Sequence, residues 1–159
     1  MRLVQNNITK EKEIDMIEKD TVRLLRECDA GIKMGVDSIS QVAKHVRNKE
    51  MRKTLAECKG EHKRLEGEIN TLLRSYGDSG KEPGMIASGM SRMKTGMKLA
   101  MHKSDSTIAD LMTDGCNMGV KSLNKYLNEY EAADEVSKDI AKRLINLEEQ
   151  LAIDLRGYL

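Results

Sequence analysis

The stretch from Ile32 to Gln41 returns between Cys116 and Lys125. Met34, Gly35, Val36 and Ser38 are matched by Met118, Gly119, Val120 and Ser122, and Gly31 and Gly115 precede the two copies at the same offset. A repeat at this separation predicts two similar halves, each about one helix pair long. The likeness continues past the first copy. Met51, Lys53, Leu55 and Ala56 align with Val136, Lys138, Ile140 and Ala141, one residue further out of step.

Four segments carry apolar residues at spacings of three and four, the period of one helix face. The first runs on Leu25, Cys28, Ile32, Gly35, Ile39, Val42 and Val46. Ile14, Ile17 and Leu24 extend it backwards, so the first helix is expected to begin near Lys10 with Thr9 as its N-cap. The second seam is Met51, Leu55, Cys58, His62, Leu65, Ile69, Leu72 and Tyr76, with Asn48 as N-cap. The third, opened by Ser104 or Asp105, uses Ile108, Leu111 or Met112, Gly115, Gly119, Leu123, Tyr126 and Tyr130. A break at Glu131 to Asp134 precedes the fourth, on Val136, Ile140, Leu144, Leu147, Leu151, Leu155 and Tyr158.

Each half therefore reads as an antiparallel helical hairpin, one over about 10–76 and the other over about 104–159. The crossover of about 77–103 is too long for a hairpin turn. It can pass from one end of a bundle to the other, which would make the second and third helices parallel. It carries a short helical pattern of its own in Met90, Met93, Met97 and Met101. The expectation is a single all-α domain over 1–159: a four-helix bundle of two pseudo-repeated hairpins, with a long crossover containing a short helix.

Composition suits this architecture. The 159 residues contain no Trp and no Phe, only one Pro, and 11 Met. A core without large aromatics is filled by Leu, Ile, Val, Met and Ala, which favours helix-on-helix packing. The formal net charge is +1 with acids and bases interspersed, so no basic footprint for nucleic acid is present. Cys28, Cys58 and Cys116 are odd in number and widely spaced, which points to buried reduced thiols rather than a disulfide framework. The N-terminus has no apolar signal-like core, and no run reaches the roughly 18 apolar residues of a membrane span. A cytoplasmic location is the expectation.

The Asp29-Ala30-Gly31 run, Asp114-Gly115 at the corresponding place, and the glycine-bearing amphipathic segment before the third helix resemble an uncharacterised bacterial family of ferritin-like four-helix proteins, a domain of unknown function. The likeness runs from about Thr21 to the C-terminus. It implies a ferritin-like bundle and imports no activity, because one fold hosts many functions.

Ferritin-like di-metal sites need a Glu from each of two helices and Glu-x-x-His from each of the other two. Three residues before His45, His62 and His102 stand Val42, Lys59 and Leu99. The fourth helix has no histidine, and Leu147 occupies the place equivalent to His62. An orthodox di-iron centre is not expected, and no cofactor is. His62 nevertheless interrupts an apolar seam. One reading makes it a core histidine bonded to a backbone carbonyl or another polar group. The alternative makes it the centre of a soft-metal or haem site with Met34, Met118 and Cys58, since thioether, thiolate and imidazole ligands suit copper or zinc. Asp29, Glu57, Glu61, Asp114 and Glu148 are read as a solvated rim or as helix-to-helix ion pairs.

Gly31, Gly35, Gly115 and Gly119 repeat Gly-x-x-x-Gly in both halves, and are expected to let the first and third helices cross tightly. The Met stripe at 90, 93, 97 and 101 caps the bundle, docks a partner, or lies on a membrane surface beside Arg92, Lys94, Lys98 and Lys103. No phosphate loop or metalloprotease motif occurs. The functional expectation is a non-catalytic structural or interaction protein whose di-metal site has been lost, assembling as a homo-oligomer, a dimer by preference. The alternatives are a metal- or haem-binding bundle centred on His62 and a peripheral membrane module using 85–103.

Overall fold

The computed structural model describes residues 1–84 and 104–159. They form α1 (Arg2–Ala43), α2 (Lys49–Ser75), α3 (Asp105–Glu129) and α4 (Glu135–Leu155), followed by a 3₁₀ turn at Arg156–Tyr158. No strand occurs among the described residues. The Met stripe at 90, 93, 97 and 101, His102 and the short crossover helix lie outside them.

Three helices open on side-chain caps. Asn48 accepts from the Met51 amide, Ser104 from the Thr107 amide, and Asp134 from the Ser137 amide. The first helix differs from expectation. It begins at Arg2, and Thr9 lies inside it with its hydroxyl donating to the Gln5 carbonyl. Thr9 can cap only if the chain ahead of it leaves the helix, and residues 2–8 contain neither Gly nor Pro to break it.

Hydrogen bonds at the two ends set the directions of the helices. The Asp105 carboxylate accepts from the Arg47 and Asn48 amides, so α3 starts beside the α1–α2 turn. At the opposite end, Asp20 accepts from Ala132 N and Thr21 Oγ1 accepts from Asp134 N, which ties the α3–α4 turn to α1. Helices α2 and α3 therefore run the same way, and α1 and α4 run against them. Helix α1 touches α2, α3 and α4, and α2 also packs on α4.

The crossover leaves α2 through Gly77, whose φ of +70° suits glycine. It then runs back along α1. Asp78 pairs with Arg26, the Lys81 amide donates to Asp29 Oδ2 at 2.9 Å, and Lys33 pairs with Glu82 at 2.8 Å. Lys81 also pairs with Glu27.

Two apolar clusters fill the interior. One joins Leu24, Leu25, Cys28 and Ile32 of α1 with Leu65, Ile69, Leu73, Leu123, Ile140 and Leu144. The other joins Ile39 and Val42 with Met51, Leu55, Cys58, Ile108, Met112, Cys116, Leu151 and Leu155. Leu147 packs against both. Three seams drift from the expected positions. Leu73 is buried and Leu72 only half-buried, Cys116 replaces Gly115 on the inner face, and Val136 is 57% exposed. Because 3.6 residues per turn is not a whole number, a stripe read in threes and fours slips to a neighbouring residue over several turns.

Candidate functional site

Between the two apolar clusters lies one polar layer, to which each helix contributes a residue: Gly35 from α1, His62 from α2, Gly119 from α3 and Glu148 from α4. His62 is 1% exposed. Its Nε2 lies 2.8 Å from Glu148 Oε1, and its Nδ1 lies 2.8 Å from the Cys58 carbonyl one turn earlier. Both partners are acceptors, so both ring nitrogens carry protons and the ring is an imidazolium. The Cys58 thiol stands 3.5 Å from the same Nδ1. From α3, buried Cys116 faces the same layer, where the Glu148 charge acts on its thiol.

The electrostatics agree with this geometry. Burial by itself pulls the His62 pKa down. The hydrogen bonds and charges of Cys58 and Glu148 outweigh it, and the pKa is raised to about 10. For Cys116, burial and then the Glu148 charge push the thiol well above its ordinary range. Burial, with Glu27 and Asp29 nearby, pushes the Cys28 thiol up to about 12. All three cysteines are buried and free.

The glycines have two different roles. A Cβ at Gly35 would lie 3.0 Å from His62 Nε2, and one at Gly119 would lie 3.3 Å from Glu148 Oε2. These two glycines make room for the ion pair. The expectation that all four glycines mark a tight crossing of the first and third helices is corrected here. At Gly31 and Gly115 a Cβ would meet nothing within 4 Å, and at Gly35 and Gly119 the nearest atoms are side chains of α2 and α4.

The other candidate residues separate. Met34 is half-buried on α1, whereas Met118 is 69% exposed and turned away from the interior. Of the expected metal candidates, only Cys58 stands beside His62. Among the described residues, no group of three or more His, Cys, Asp or Glu is arranged to hold a metal ion. Glu57, Glu61 and Asp114 are exposed. Asp29 is fully buried and its Oδ2 accepts from Lys33 Nζ at 2.8 Å, so it belongs to the crossover clasp rather than to a rim. No helix among the described residues is long and apolar enough to cross a membrane.

Glu148 escaped the sequence reading as a partner of His62. On α4, Leu144, Glu148, Leu151 and Leu155 are also spaced by three and four, but the apolar Leu147 next to it took the seam position. The available signal was the matched pair Gly35 and Gly119, which leaves a gap in the middle of both halves.

A family model described as Domain of unknown function (DUF2383) matches residues 20–129. That span covers more than half of the chain, and the chain belongs to this family. No curated protein and no solved structure matches it.

Proposed function

We propose, on the premise of that family membership, that this protein is a non-catalytic bundle of ferritin-like plan that works through its surface, with a His62–Glu148 ion pair standing where a di-metal site would lie. One observation carries this reading. Both nitrogens of the His62 ring are spent on acceptors, the Cys58 carbonyl and Glu148 Oε1. A metal needs an imidazole lone pair, and a proton occupies each one.

The order Cys58, His62, Glu148 invites comparison with a nucleophile, base and orienting acid. The details oppose that role. The nitrogen nearest the thiol already donates to a carbonyl, so it cannot take the thiol proton. Cys58 is also buried, at 6% exposure. The alternative of a metal- or haem-binding bundle also loses Met118 to the surface. The membrane alternative rests on 85–103, outside the described residues.

The test is metal analysis of protein purified without chelator or affinity tag, followed by titration with copper, zinc and haem. The expected result is no stoichiometric metal and no change in the His62 imidazole signals. Retention of one equivalent, with loss of an imidazole proton, would overturn the reading.

A further inference from the structure

Helix α1 outruns the bundle. Its first buried residue is Thr21, and residues 1–19 are exposed. By helical rise, the 18 residues from Arg2 to Lys19 project about 27 Å beyond the α3–α4 turn. Exposed Leu3, Ile14 and Ile17 continue the same stripe as Thr21, Leu24 and Cys28, with Asn7 and Lys10 completing the four-three spacing. Among the described residues, the bundle therefore buries one half of a heptad seam and leaves the other half uncovered.

The charges beside the bare seam restrict what can cover it. Glu11 and Glu18 flank it on one side and Glu13 on the other, while Lys12 and Lys19 sit on the outer face, where Lys19 pairs with Asp15. Two copies in parallel would set Lys10 on Lys10 and Glu13 beside Glu18, both repulsive. Two antiparallel copies centred between Ile8 and Thr9 would set Leu3 on Ile14 and Asn7 on Lys10. In that register the flanking positions bring Val4 to Glu11 and Asn6 to Glu13, with no like charges opposed. The Asn7 amide oxygen would accept from the Lys10 ammonium, a polar contact of the kind that fixes register and orientation at some cost in strength. The bundles would not collide, because this register sets the two Thr21 residues roughly 38 Å apart along the seam.

We propose that these projecting turns pair antiparallel with those of a second copy, joining two bundles end to end about a two-fold axis. A two-fold contact uses the same patch on both partners and closes on itself, so it makes a dimer and not a fibre. The proposal rests on the reading of the protein as an interaction bundle and names the surface and the partner. Two short helices bury a modest area, so the dimer is concentration-dependent.

Sedimentation velocity of the full chain, from low micromolar to near millimolar, tests it alongside Leu3→Asp and Ile14→Asp. Both sites are exposed, so the melting of the bundle serves as a control for folding. The expected result is reversible dimerisation, weakened roughly tenfold or more by either change. Orientation is tested by mixing Leu3→Cys and Ile14→Cys proteins under mild oxidation, with the expected disulfide joining unlike variants. A chain that stays monomeric throughout, a dimer indifferent to both substitutions, or a disulfide mainly between like variants would each overturn the proposal. None of those outcomes bears on metal content, so the functional reading is tested separately.

Discussion

At His62 the physics of one buried ring has measurable consequences. A histidine whose folded pKa is raised to about 10 binds its proton more tightly in the folded state than in the unfolded chain. Its contribution to stability is fully present below the unfolded value near 6.5 and is lost as pH rises through about 10. Denaturation midpoints measured from pH 6 to 11 should fall across that window, and imidazole NMR should place the transition near its upper end. A His62 midpoint near 6.5 would contradict the ion pair. Removing one partner strands the other. His62→Ala or Glu148→Ala alone should cost about 3–5 kcal/mol in urea melts, whereas replacing both with well-packed apolar residues should be neutral or stabilising. The glycines supply an internal contrast. Gly31→Ala and Gly115→Ala enter open space within helices and should each stabilise by up to about 1 kcal/mol. Gly35→Ala presses on the His62 ring and should lose that gain.

At the scale of elements, a clasp holds residues 78–82 against α1. Gly80 has φ of +91°, and a Cβ there would overlap Asp29 Oδ2. Gly80→Ala combines backbone strain of about 1–2 kcal/mol with this overlap, so it should free the strap and expose it to limited proteolysis. Asp29→Asn should act in the same direction, because the carboxylate accepts from Lys33 Nζ and the Lys81 amide at once. If cleavage after Lys81 is unchanged in both variants, the clasp does not hold the strap. At the other end of the same helix, the projecting turns show how little a cap rule decides alone. Thr9 has the right chemistry for a cap, but nothing before it turns the chain.

At the scale of the molecule, two apolar clusters stand on either side of one charged layer, and all four helices meet at that layer. A buried pair at this position specifies register, since any sliding of α2 against α4 parts the ring from the carboxylate. This has a counterpart in the repeat. Gly35 and Gly119 are matched positions, but the groups that fill their space are not. His62 aligns with Leu147, and Glu148 is the residue beside it.

How much of this was legible in advance follows from the range of the interactions involved. Four helices, the cap at Asn48 and an opening of the third helix at Ser104 or Asp105 were readable from period and local chemistry, because helix hydrogen bonds and caps join residues three or four apart. The oddity of His62 in an apolar seam was readable for the same reason. Its partner was not, since Glu148 lies 86 positions away and shares its stretch of seam with a leucine. The register of α2 on α4, the space above Gly35, and the bare end of α1 depend on which surfaces meet in three dimensions. A linear pattern states which face of a helix is oily; only packing decides what that face finds.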